Sequence, residues 1–504
     1  MGASLVGLTA RSWAGRGLDE SLELRMLRTR AVEVSLWEAV LPPEVLRLPT
    51  ELARVDGLLD DPSFFAPFVE FFDPRVGRPS TPMEVYLRMM LVKFRYGLGY
   101  ESLCAEVADS ITWRRFCRIP IDGKVPHPST LMKLTSRCGS AAVAGCNEAL
   151  LAKAVEAKLL RTNRLRADTT VVPADVAYPT DSGLLAKAVR RIATTARRIK
   201  AAGGARRTPL RDRSRAAGRR AHGIAAKLRL RSAQGRDEAQ ATVRRITGEL
   251  ADLAGWAAAD AKGLLANARR ALRRAAIKAR ALAAAGGKDA AAGRRRGALR
   301  RAVNDLTELL EVTGRIAAQT RQRLAGITPA GSTRRVSLHE PDARPIAKGQ
   351  LGKPVQFGYK GQVLDNEDGV VLDHTLEQGN PADAPQLAPA VKRVIKRTGR
   401  KPRVVAADRG YGEASVDDAL HQMGVRNVVI PRKGKPGKAR QAAEHTPAFR
   451  RTVKWRTGSE GRISSLKRGY GWDRTRLDGT EGARIWTGQA VLAHNLVKIA
   501  GLAG

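Results

Sequence analysis

The chain has 504 residues, with 89 Lys and Arg against 49 Asp and Glu, a formal charge of +40 and a pI near 11.1. That surplus exceeds what solubility requires and points to a polyanionic partner. A hydrophobic share of 43% excludes wholesale disorder, and the length suffices for roughly three domains. No run approaches the roughly 18 apolar residues of a membrane span, and the N-terminus lacks a signal-peptide pattern. Cys104, Cys117, Cys138 and Cys146 lack CxxC spacing, which excludes a zinc ribbon and a disulfide framework. The composition is that of a soluble, cytoplasmic, nucleic-acid-binding protein with no membrane segment.

In chain order, residues 1–43 form an N-terminal tail; the first 25 show no periodicity and read as a mobile tail or an over-long start upstream of Met26. Residues 44–160 read as an all-α domain of short helices. Thr81-Pro82-Met83-Glu84 has the form of a capping box ahead of an apolar helix ending at Gly97-Leu98-Gly99. Arg114, Arg115 and Arg118 on the later helices suit either a helix-turn-helix DNA-binding module or a bundle that braces the next domain.

A strand is predicted over 164–175, and then the composition changes. Residues 181–330 carry 35 Lys and Arg against 11 Asp and Glu, a surplus of 24. Leu185, Val189, Ile192, Ala196 and Ile199 form a heptad seam, and Val243, Ile246, Leu250 and Leu253 repeat it. This stretch reads as an α-helical, coiled-coil-like insert, broken near Gly203-Gly204, Gly235 and Gly286-Gly287. So one-sided a charge favours phosphate contact over a merely solvated face.

After 331 the pattern predicts a hairpin (355–364 and 370–376) around Asp365–Gly369, a helix over 382–398 and a strand over 403–407. A helix near 416–423, a strand over 427–430, a basic loop at 432–440 and helices near 459–468 and 484–502 follow. Without the insert, the order is that of an α/β RNase H-like catalytic domain, built from 161–180 and 331–504.

Two hydrophobic strands end in carboxylates, Asp168 and Asp408, at the sheet edge where ligand crevices lie. Converging there, they suit Mg²⁺, a hard cation that prefers oxygen ligands. Arg456, Glu460 and Lys467 have the spacing of one helical face, which suits metal and phosphate together or an ordinary ion-pair stripe. Trp455, Trp472 and Trp486 could stack on an extruded base, although core packing is favoured. His339 and His494 read as structural. No phosphate-binding Gly-rich loop, HExxH or Gly-x-Ser-x-Gly motif occurs.

Asp168-Thr169-Thr170, Asp408-Arg409-Gly410-Tyr411 and Arg456-x3-Glu460-x6-Lys467 together resemble the three catalytic regions of bacterial insertion-sequence DDE transposases. Arg78-Pro79-Ser80, Tyr96-Gly97-Leu98 and Trp113–Cys117 resemble their N-terminal helical domain, and Gly379–Asp383 a turn they carry. The sequence departs from the pattern at Val453, where a Tyr often stands. The resemblance implies metal-dependent cleavage of transposon-end DNA and strand transfer into target DNA. It further implies Asp168, Asp408 and Glu460 as ligands of two Mg²⁺ ions, with Mn²⁺ a substitute. Arg456, Lys467, Arg409 and Tyr411 would position DNA. The partners implied are double-stranded DNA, namely terminal inverted repeats and target, and further copies of the chain in a homodimer or higher assembly. A retired DNA-binding scaffold and a site-specific nuclease without strand transfer are the alternatives.

Overall fold

The computed structural model describes residues 26–31, 40–228, 236–287, 289–350 and 353–503. The expectation for the first 25 residues lies outside the described residues, as does the break at Gly235. Chain contacts divide the protein into two units, Met1–Asp175 with Gly358–Gly504, and Val176–Phe357. No helix among the described residues is long and apolar enough to cross a membrane.

The first unit opens with helices α1 (Thr50–Leu59), α2 (Met83–Arg95), α3 (Tyr100–Asp109), α4 (Ile111–Phe116) and α5 (Pro128–Glu156). Helix α2 is buried along its length, charges included. Arg88, fully buried, donates to Asp56 and Asp60 at 3.0 and 2.6 Å, so its charge is paired. Lys93 lies 4.3 Å from the Trp486 ring, and burial pushes its ammonium down to about 8. The predicted capping box is absent. Pro82 is the N-cap without a side-chain bond, and Glu84 turns away to accept from the Ala31 amide. Arg114 and the exposed Arg118 are likewise engaged with other parts of the unit. Arg114 donates to the carbonyls of Ala108, Pro120 and Gly123, and Arg118 to Asp56 and Asp60. These arginines brace loops and helices rather than forming an open row.

The sheet of this unit takes β1 (Arg164–Pro173), part of a long strand β3 (Lys353–Asp365), β4 (Val371–Gln378), β5 (Val404–Ala406) and β6 (Asn427–Val429). Its order is β4-β3-β1-β5-β6; β3 runs antiparallel to both β4 and β1, and β5 and β6 run parallel to β1. Helices α10 (Ala384–Thr398) and α11 (Ala414–Gln422) supply the crossovers that parallel strands need. The register sets Asp168 against Val363 and Val363 against His374.

Beyond β6 come α12 (Lys438–His445), α13 (Pro447–Arg456), α14 (Gly458–Tyr470) and α15 (Gly479–Ala503). Two of these were not expected. The stretch read as a basic loop runs into α12, and Arg456 closes α13 instead of sharing a helix with Glu460. Neither α12 nor α13 buries a residue, so no apolar periodicity announces them. Helix α15 is apolar nearly throughout and packs on α1, α2, α5 and β4. Its Asn495 bonds both backbone groups of Val371, tying the C-terminus to the sheet.

The second unit holds α6 (Asp181–Ala201), α7 (Ser214–Leu228), α8 (Arg236–Ala284), α9 (Ala290–Leu324) and strand β2 (Arg344–Gln350). The α6 seam, Leu185 to Ile199, is buried against Leu250, Ala254, Ala257 and Leu264 of α8 and Leu299 and Leu306 of α9. Val243 and Ile246 only flank this core, so the second predicted seam packs from Leu250 onward. Alanines at the contacts bring the helix axes close enough for leucines to interdigitate.

Candidate active site

Three elements of the first unit carry the three expected carboxylates. Asp168, in the middle of β1, is 9% exposed and accepts the Thr169 amide at 2.8 Å. Asp408 follows β5 and caps a short 3-10 turn, accepting the Gly410 amide at 2.9 Å. A Cβ on residue 410 would stand 3.0 Å from the carboxylates of both Asp383 and Asp408, which explains glycine there. Glu460 begins α14 and remains exposed.

Arg456 joins two of these elements. Its guanidinium donates to Asp168 Oδ2 and Glu460 Oε1, each at 3.3 Å. Burial pushes the Asp168 carboxyl up to about 6; Arg456 opposes this, while the charges of Asp408 and Glu460 add to it. Asp408 is raised as well, first by burial and then by Asp383. Asp383, at the head of α10, is a fourth carboxylate of this neighbourhood, and Lys360 of β3 neutralises it at 2.7 Å. Read only as the end of a turn, Asp383 went unrecognised as a site residue; its pairing with Lys360 spans 23 positions and has no local motif.

The remaining expected residues sit differently. Tyr411 is fully buried, and its hydroxyl accepts from Gln362 at 3.0 Å, so it shapes the turn from beneath instead of meeting a DNA strand. Arg409 is exposed, with its guanidinium donating to the carbonyls of Arg432 and Gly434. Lys467 lies two turns beyond Glu460 on α14 and is half-buried. Trp472 and Trp486 are core residues whose indole N–H groups donate to Thr487 and Gly471 carbonyls. Trp455 carries Arg164 and Arg166 on its ring at 4.2 and 4.9 Å. His494 is buried against the Gly369 carbonyl, whereas His339 is exposed beside Ser337 in the second unit.

The junction of α13 and α14 is clamped from below. Arg166 of β1 forks onto the fully buried Asp365 of β3, with contacts of 2.8 to 3.1 Å, and donates also to the Trp455 carbonyl. Ser459 donates to the same Asp365 at 3.0 Å. A side chain at position 458 would collide with the Arg166 guanidinium, so glycine starts α14. These bonds fix Arg456 and Glu460 relative to the strand that carries Asp168.

Among the described residues, no three His, Cys, Asp or Glu side chains stand ready as a metal cage. The Arg456 guanidinium lies between Asp168 and Glu460 and pairs with both. The donor set itself is all carboxylate oxygen, the chemistry of a hard divalent cation. Asp168 and Asp408, raised by burial and by neighbouring negative charge, would be relieved by one.

Residues 43–137 match the family described as "Transposase domain (DUF772)", and residues 331–496 match the "Transposase DDE domain" family. The second match includes Asp383, Asp408 and Glu460 but not Asp168. An uncharacterized protein, ORF8 in the nfe locus of Rhizobium meliloti, is 29% identical over 161 residues, covering 29% of this chain and 73% of that protein. No solved structure matches.

Proposed function

We infer, for a chain that is an insertion-sequence transposase, that Asp168, Asp408 and Glu460 form its catalytic carboxylate set. The strand order and the two antiparallel and two parallel pairings support an RNase H-like reading of the sheet, interrupted between β1 and β3 by the helical unit. One observation carries the site. A single guanidinium joins the β1 carboxylate to the α14 carboxylate, and the Asp408 charge is felt by the same Asp168.

In this reading Asp168, Asp408 and Glu460 would hold Mg²⁺, or Mn²⁺ in its place. The chemistry such a cation would supply there is neutralisation of the charge that develops in an in-line phosphoryl displacement. The chain's own contribution is orientation. The Arg166–Asp365–Ser459 clamp holds α14 against β1, and the Gly410 amide holds Asp408. On DNA entry, Arg456 exchanges its carboxylates for a phosphate next to the scissile one, binding it with a two-pronged fork. Cleavage of transposon-end DNA and transfer of the freed 3′-hydroxyl to target DNA follow from one such site in each copy of a dimer or larger assembly.

The test uses purified protein and DNA carrying the element's ends. Asp168→Asn, Asp408→Asn and Glu460→Gln each abolish cleavage while end binding persists. Cleavage surviving any one of them overturns the assignment. Cleavage without joined products would favour a hydrolytic nuclease.

A further inference from the structure

The second unit contains a cavity of about 410 Å³ where the start of α6 meets the segment 336–339. Such a volume falls in the range of small-ligand pockets, roughly 300–1,000 Å³. Three cations line it, Lys187, Arg190 and Arg191, at helical spacings that put them on one side of α6. All three are exposed, and among the described residues no carboxylate pairs with them.

Two other arginines of the same helix are paired. Further along α6, Arg197 pairs with Asp212 and Arg198 with Asp305. The acid of the first turn, Asp181, is bonded to Arg323 and offers the three cations nothing. Among the described residues, the three cations at the cavity thus have no acidic partner, whereas Arg197 and Arg198 of the same helix do.

The cavity also has an aromatic wall. Tyr178 is 79% exposed, yet its ring is held edge-on by Phe357 at 5.5 Å between centroids. An exposed ring with a fixed orientation is a stacking platform that costs little to order. His339 completes the lining.

An aromatic face beside three unpaired cations is the chemistry of a nucleotide with its flanking phosphates. We propose that this pocket binds an unpaired nucleotide of a DNA strand, with the base on Tyr178 and the phosphates on Lys187, Arg190 and Arg191. The inference rests on the reading of the chain as a DNA-processing enzyme and adds a site remote in sequence from the carboxylates.

Two labelled probes test it with the full chain: a blunt duplex, and the same duplex with a single-stranded thymidine extension. Wild type binds the extended probe more tightly than the blunt one. Tyr178→Ala removes about tenfold of the affinity for the extended probe only, whereas Tyr178→Phe retains it. The triple variant Lys187→Gln, Arg190→Gln, Arg191→Gln lowers the salt slope on the extended probe by about 2, since each contact to a single strand contributes roughly 0.7. Tyr178 and the three cations are exposed, so circular dichroism of the variants matches wild type. If Tyr178→Ala binds both probes as wild type does, the pocket is overturned while DNA binding stands. If wild type binds neither probe, both readings fall.

Discussion

Lys360 reaches from β3 to Asp383 at the head of α10, 2.7 Å away, and so places a neutralised carboxylate beside Asp408. Both side chains are largely buried, 11% and 20% exposed. Removing one partner strands the other, which costs about 3 kcal/mol at such sites. Lys360→Met should therefore lower stability by about that amount in urea denaturation. Asp383→Asn added to it should restore much of the loss, and the double-mutant cycle reports the coupling.

The Arg166–Asp365 pair is the sharper case, because Asp365 is fully buried and accepts from Arg166 and Ser459 alike. Asp365→Ala should destabilise the first unit by about 3–5 kcal/mol. Ser459→Ala removes only one bond and should cost about 1 kcal/mol. Because the clamp sets α14 against β1, Ser459→Ala should also slow cleavage while leaving DNA affinity unchanged, as measured by single-turnover kinetics and end-binding titration.

Arg456 and Lys467 should separate in kind. Arg456→Lys keeps the charge but loses the fork that spans Asp168 and Glu460, so cleavage should fall at least tenfold with little change in binding. Lys467→Arg, two turns beyond Glu460 on α14, should be milder. Comparing cleavage rates and end affinities for both variants decides the matter. Equal and negligible effects would leave Arg456 an ion-pair bridge and Lys467 a surface charge, neither of them meeting the DNA.

Acid should weaken the fold through His494. Burial lowers its imidazole to about 3, aided by the nearby charges of Arg462 and Lys498 and opposed by its bond to the Gly369 carbonyl. The edge of the Tyr470 ring also faces it. In the unfolded chain the same ring titrates near 6.5. Stability is therefore complete above about pH 6.5. Below it the unfolded state takes up a proton the folded state refuses, and stability falls by about 1.4 kcal/mol per pH unit toward pH 3. His374, also lowered by burial, acts in the same direction. His494→Gln, which can still donate to Gly369, should flatten the denaturation midpoint between pH 6.5 and 4.5.

What could be read in advance follows from where apolar burial leaves a period. Strands β1 and β6 were legible within two residues because Val171, Val172, Val428 and Val429 are β-branched and buried. Asp168 and Asp408 stood out as carboxylates on apolar strands, although Asp168 lies within β1 and not at its end. Helices α12 and α13 bury nothing, so their Ala, Lys and Arg residues looked like a loop. Asp383 and Lys360 meet only because β3 lies beside the α10 head, a tertiary fact with no local trace. Tyr411 was read as meeting DNA because a motif gives residue types but not exposure. The Arg456 bridge was hidden for the same reason, since its two carboxylates come from different elements.

Pro173 and Gly358 are paired across β1 and β3, so the whole helical unit leaves and re-enters the sheet at neighbouring points. Asp168 and Arg456, which touch, are 288 positions apart. On a ribosome adding roughly 5–20 residues per second, β1 emerges about 10–40 s before the strand it must pair with. The helical unit, whose contacts are local, can close in that interval and shorten the loop that β3 must bridge. A nascent chain thus holds the basic surface of its middle section long before Asp168 has met Arg456 or Glu460. The middle section is complete before the segment that carries Arg456 and Glu460 has been made, and the carboxylate set is the later of the two to assemble.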